Sequence, residues 1–126
     1  LAAADARRKR AGHLFSKHRF LSAQMEAYLT DDLWIEMARA ANAAASRLVA
    51  GMKTIPEATL LHPSHANIVY ATFPRAAHRR LQDAGAQFYS MGSPEGDPDE
   101  PVRARLVCDW SATDANTDRF LDILAD

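Results

Sequence analysis

Between Asp5 and Leu29, the apolar residues Leu14, Phe15, Phe20, Leu21, Met25, Tyr28 and Leu29 recur at helical steps, with a break predicted near Gly12 that can turn a loop towards a ligand. Thr30-Asp31-Asp32 then reads as a new helix start, a hydroxyl cap followed by acids that favour the positive end of the helix dipole. From there Leu33, Trp34, Met37, Ala38, Ala41, Ala45, Leu48 and Val49 make one apolar face at three- and four-residue steps, with Arg39 and Arg47 opposite. The pattern predicts a helix to about Ala50, stopped by Gly51, whose alanines allow close packing.

Beyond Pro56 the texture changes. Ala58 to Leu61 and Asn67 to Phe73 are rich in strand formers and flank the turn-forming His62-Pro63-Ser64-His65, which predicts two antiparallel strands. Pro74 opens a short helix through Ala76, Ala77 and Leu81 to a stop at Gly85, and Gln87 to Met91 is a further strand. Gly92 to Pro101, built from Gly, Ser, Pro and acids, is a loop with the composition of a mobile one. Val102 to Asp109 is the last strand, and Thr113-Asp114 caps a final helix whose Phe120, Leu121, Ile123 and Leu124 face a core. This order predicts an α+β fold: an antiparallel or mixed sheet of three to four strands covered by helices and preceded by a long helical segment. There is no internal repeat and no low-complexity tract.

At 126 residues, 48% of them apolar, the chain can enclose one core and leaves no room for a second complete domain. The net charge of −1 supplies no global field for nucleic acid or an anionic membrane, and the basic start is short, with aromatic interleaving confined to Phe15 and Phe20. The charge is lopsided, however. The start is basic (Arg7 to Arg10, Lys17, Arg19), the end acidic (Glu95, Asp97, Asp99, Glu100, Asp109, Asp114, Asp118, Asp122, Asp126), which suits a phosphate near the first segment. One cysteine, Cys108, excludes an internal disulfide and fits a reducing compartment. With no membrane-length apolar run and no signal-peptide pattern, a cytoplasmic location is the default expectation.

Three blocks, in order along the chain, carry a family resemblance. They are Lys9-Arg10-Ala11-Gly12-His13 with Ser16-Lys17-His18-Arg19-Phe20-Leu21-Ser22-Ala23-Gln24; Ala66-Asn67-Ile68-Val69-Tyr70-Ala71; and Val102-Arg103-Ala104-Arg105-Leu106-Val107-Cys108-Asp109-Trp110. Together they resemble the low-specificity L-threonine aldolases, pyridoxal-phosphate lyases of the aminotransferase-like fold (fold type I), over nearly the whole chain. The resemblance implies the C-terminal portion of such an enzyme, with residues 1–51 as a helical segment linking the large domain to the small domain and 52–126 as the α+β small domain. In that family a lysine in a Gly-Gly-Thr-Lys-Asn type of loop holds the cofactor as a Schiff base. Lys9, Lys17 and Lys53 lack such flanks, so no catalytic residue is expected in this chain, and the lysine is expected in a missing N-terminal large domain. The opening Leu1-Ala2-Ala3-Ala4-Asp5 likewise reads as cut inside a helix. Alone, the chain is expected to be inactive.

The same resemblance gives the Arg of Arg-Leu-Val, Arg105, the role of binding the substrate carboxylate. A planar carboxylate accepts two parallel N–H bonds from a guanidinium, and holding it fixes which Cα bond breaks. A strand arginine that merely reaches solvent is the plainer alternative, and Arg103, on the same sheet face, competes for the assignment. Ser16, Lys17, Arg19 and Arg10 are the candidates for the cofactor phosphate, against a plain solvated basic helix face. His62 and His65 form the tightest histidine pair, too few ligands for zinc, and no metal is expected. Cys108 has no local base and reads as a packed thiol; Trp34 and Trp110 read as core or interface anchors.

What the resemblance implies for the whole enzyme is cleavage of a β-hydroxy-α-amino acid of the threonine or phenylserine type to glycine and an aldehyde. A small-molecule amino acid substrate and a homodimer or homotetramer go with it, without nucleic-acid or membrane partners. The alternatives are another fold type I lyase or aminotransferase, or a cofactor-free α+β dimerisation or binding module.

Overall fold

The computed structural model describes residues 2–14 and 16–126, so the expectations for Leu1 and Phe15 lie outside the described residues. The chain divides into two compact units, Leu1–Trp34 and Ile35–Asp126.

In the first unit, α1 (Ala2–Arg10) ends at a turn in which Gly12 takes a positive φ of 74°, the predicted break. After it comes α2 (His18–Leu29). The described members of the apolar set read along this stretch, Leu14, Phe20, Leu21, Met25, Tyr28 and Leu29, all stand out to solvent. Thr30 does not start the next helix as predicted. Its hydroxyl donates back to the Glu26 carbonyl at 2.7 Å, closing α2, and Asp31 and Asp32 take positive φ values of 52° and 59° in the turn that follows. A hydroxyl residue serves either end of a helix, and here the preceding carbonyls claim it.

The helix α3 (Leu33–Met52) runs two residues beyond the predicted end and buries Ala41, Ala44, Ala45, Leu48 and Met52, whereas Leu33, Trp34 and Ala38, expected on that face, are exposed. Gly51 is inside the helix and does not stop it. A Cβ on it would lie 2.2 Å from Leu121 Cδ1 and 2.8 Å from Cδ2, so this glycine serves close approach of another element and not chain reversal.

The sheet is antiparallel with strand order β1-β2-β4-β3, from β1 (Thr59–Leu60), β2 (Ile68–Pro74), β3 (Tyr89–Ser90) and β4 (Pro101–Val107). Its centre is the seven-residue ladder of β2 and β4, from Ile68↔Val107 to Pro74↔Pro101. Period-two alternation sends Val69, Ala71, Phe73, Val102, Ala104 and Leu106 into the core. There they join Ala45, Leu48 and Met52 of α3, Ala77 and Leu81 of α4 (Arg75–Asp83) and Leu124 of α5 (Asp114–Ala125). The α+β architecture predicted from the pattern is the one observed. As predicted, Thr113 caps α5, its hydroxyl accepting the Asn116 amide at 3.2 Å. Arg47 of α3 reaches α5 through a two-pronged bond to Asp118, 2.8 and 2.7 Å.

The Gly92 to Pro101 segment, read as mobile, is tied down. Pro74 offers α4 no side-chain cap, and carbonyls of the loop cap the helix instead. The Arg75 and Ala76 amides donate to Glu100 O (3.0 Å) and Pro98 O (2.9 Å). The Arg75 guanidinium, 5% exposed, donates to Asp97 O at 3.0 Å, to Ser93 O and to the Glu100 carboxylate. Arg79 adds bonds to Pro94 O. At Gly96 the φ is +132°, and a Cβ would sit 3.1 Å from the Arg75 guanidinium. The composition that suggests mobility is what lets the loop wrap an arginine.

Candidate functional site

The face of the sheet opposite the core carries the two arginines singled out in the sequence. On β4, Arg103, Arg105 and Val107 alternate with the core residues and stand exposed. The register sets Arg105 directly between Tyr70 of β2 and Tyr89 of β3. Its guanidinium carbon lies 5.3 Å from the centre of the Tyr89 ring, and on the other side His62 meets Tyr70 edge-on, ring centres 6.1 Å apart at 73°. A row of four side chains, Tyr89, Arg105, Tyr70 and His62, thus crosses three strands and the β1–β2 turn.

Arg103 is placed differently. Its neighbour on β2 is Thr72, and on the other side its carbonyl accepts the Met91 amide. Among the described residues no carboxylate lies within ion-pair distance of either arginine. Two guanidinium groups with no acidic partner, on one face of a chain with 16 acids, leave donors available for a carboxylate from outside.

The candidate phosphate residues belong to the first unit, Arg105 to the second. Arg10 ends α1, Ser16 and Lys17 fill the turn, and Arg19 lies in the first turn of α2; all are exposed. Lys17 takes a left-handed conformation (φ 68°, ψ 27°), and α2 receives no side-chain cap from it. His18 Nε2 bonds the His13 carbonyl at 2.7 Å, so the two histidines meet through the backbone. All three lysines are exposed, Lys9 in an ion pair with Asp5 at 3.1 Å.

His78 is not singled out by its sequence. It is 3% exposed and fully bonded, Nε2 with the Val102 carbonyl and Nδ1 with Ser90 Oγ, both at 3.0 Å. A carbonyl accepts but cannot donate, so the neutral ring carries its proton on Nε2 and receives the Ser90 hydroxyl on Nδ1. The ring stacks on Phe73 (4.1 Å, 29°). Burial, then the charge of Arg75, pushes its pKa below the ordinary histidine value, opposed by the Val102 bond. This network anchors β3, and so Tyr89, which a two-residue strand alone holds weakly. The sequence signal available is the apolar spacing of Ala77, His78 and Leu81, which faces inward.

On the core side, a cavity of about 460 Å³ is lined by Leu81, Phe88, Cys108, Thr117, Phe120 and Ile123, among others. Burial and then Asp109 raise the pKa of the Cys108 thiol, which favours its protonated form. Trp34 and Trp110 are 43% and 59% exposed and are not core anchors. Among the described residues no group of three or more His, Cys, Asp or Glu could hold a metal, and no helix is long and apolar enough to cross a membrane.

Comparison with known proteins bears out the resemblance. No family model matches the chain. Low-specificity L-threonine aldolases of a Pseudomonas species and of Pseudomonas aeruginosa are 34% and 33% identical to it over 122 residues, 97% of this chain. The chain spans about a third, 32%, of these curated relatives' length. A threonine aldolase structure from Leishmania major superimposes with a TM-score of 0.78 at 25% identity, over 93% of this chain and 33% of that one. The cystine C-S lyase C-DES shares the fold at a TM-score of 0.59 and 20% identity, over 72% of this chain and 24% of its own.

Proposed function

We propose, from the premise that this chain corresponds to a third of a low-specificity L-threonine aldolase, that it is the carboxylate-binding part of a pyridoxal-phosphate lyase acting on β-hydroxy-α-amino acids. The observation that carries the reading is Arg105: exposed on the outer sheet face, without an acidic partner and within the block that resembles the aldolases. Its in-plane N–H edge is free to hold a carboxylate by two bonds. Arg103, two residues along on the same face, adds positive charge that favours the same anion.

When bound, the cofactor supplies the electron sink for the carbanion left as the carbon–carbon bond breaks. What this chain offers the cofactor is donors for a phosphate, from Arg10, Ser16, Lys17 and Arg19. All three lysines here are exposed, which supports a cofactor-holding lysine on polypeptide outside this chain and an isolated chain without activity. The solvent-facing apolar side chains of the first unit, Phe20, Leu21, Met25 and Leu29, support burial against further polypeptide, either that missing portion or another copy in a homodimer or homotetramer.

The test is Arg105→Ala in the full-length enzyme. A charge-assisted bond is worth about 1.5–3 kcal/mol, so KM for threonine should rise roughly 10- to 100-fold while the absorbance of bound cofactor stays unchanged. Arg103→Ala should cost only a few-fold. Unchanged kinetics for Arg105→Ala would remove it from the site.

A further inference from the structure

Tyr89 is more than an exposed edge residue. It is 60% exposed, yet the register pairs it with Arg105, and its ring lies under that guanidinium, 5.3 Å from ring centre to Cζ. A guanidinium has two recognition surfaces of different kinds: a flat face that sits on an aromatic ring, and an edge that carries the N–H donors. Contact with a ring uses the face and leaves every donor free. An acidic partner would do the opposite, fixing the side chain by consuming the edge.

Arg105 and Arg103 show what this contact decides. Both are exposed, on the same strand and the same face. Beside Arg103 stand Thr72 and the backbone of Met91, and no aromatic ring is in register with it. A free arginine spreads over many rotamers and loses side-chain freedom when it is fixed. A ring that holds the side chain beforehand removes part of that cost from the binding step. Tyr89 is in turn held by the backbone of β3, whose next residue, Ser90, is bonded to the buried His78.

We infer that Tyr89 is a positioning residue for carboxylate recognition: its ring holds the Arg105 guanidinium flat across the sheet with the N–H edge presented to an incoming carboxylate. The inference rests on the reading of Arg105 as the carboxylate clamp. It assigns the hydroxyl of Tyr89 no part, since the contact is with the ring face.

The experiment uses the full-length holoenzyme with Tyr89→Leu, Tyr89→Phe, Arg105→Ala and the double variant that combines Tyr89→Leu with Arg105→Ala, measuring kcat and KM for threonine and the spectroscopic affinity for glycine. An exposed cation–π contact is worth about 0.5–1 kcal/mol, so Tyr89→Leu should raise KM and weaken glycine about two- to fivefold with kcat little changed. Tyr89→Phe should match the parent, because it keeps the face. Added to Arg105→Ala, the Leu substitution should have no further effect. If Tyr89→Leu changes nothing while Arg105→Ala raises KM strongly, the positioning role is wrong and the clamp stands. A Phe variant as damaged as Leu, or a Leu effect that persists without Arg105, also overturns it. If Arg105→Ala is itself silent, the clamp is wrong, and the inference falls with it.

Discussion

Gly51→Ala separates two physical arguments that give opposite signs. Gly51 lies inside α3, and in an ordinary helix interior replacing Gly by Ala stabilises by about 1 kcal/mol. Here the new methyl would meet Leu121 Cδ1 at 2.2 Å, Cδ2 at 2.8 Å and Cγ at 3.0 Å. Because both methyls and Cγ crowd the position, turning Leu121 about its outer bond only exchanges one clash for the other. The whole side chain must swing about its inner bond, away from the core cluster it packs against. Overpacking of this kind costs about 1–3 kcal/mol, so the net effect is a loss of up to about 2 kcal/mol. With a urea slope of about 2 kcal/mol/M, the unfolding midpoint followed by circular dichroism should fall by up to roughly 1 M. Leu121→Ala, costly by itself, should cost less when combined with Gly51→Ala, since it clears the space. A higher midpoint for Gly51→Ala would refute the reasoning and show that helix propensity governs this position.

Two further predictions concern the frame of the site. His78 has a depressed pKa when folded, so the unfolded chain takes up the proton first; its stabilisation is complete above pH about 6.5 and is lost as pH falls through the folded value. The stability difference between the parent and His78→Gln should therefore shrink on acidification from pH 7 to 5 in urea titrations, and a difference constant across that range would contradict the assignment of a neutral ring. Thr113→Ala should cost about 1 kcal/mol through loss of the bond to the Asn116 amide, whereas Thr113→Ser should cost little.

The elements that are legible in the sequence are those whose signals are local. Alternation along Val69, Ala71, Phe73 and Val102, Ala104, Leu106 identifies both central strands and their buried face. Thr113-Asp114 announces α5, since no other partner competes for that hydroxyl's acceptor role. Thr30 and Gly51 mislead for the opposite reason: the same residue types mark both ends of a helix, and what decides is Glu26 in one case and Leu121, far along the chain, in the other. The buried Arg75 is invisible in the sequence because its partners are mostly carbonyls, which every residue has. At the site, Arg105 comes from family resemblance, and alternation alone leaves it level with Arg103. What distinguishes them structurally is the register of β3, a strand too short for any periodic signal.

The outer strands of the sheet, β1 and β3, are two residues long each. A strand from another molecule needs a longer row of open amides and carbonyls to add to a ladder, and flat, extended edges are where proteins polymerise. This sheet offers almost no such row, so it resists end-on growth into fibrils or insertion of a foreign peptide. Whatever joins it must do so by shape and side-chain chemistry. Residues such as Arg105 and Tyr89 can then be displayed openly beside an edge without making that edge a hazard.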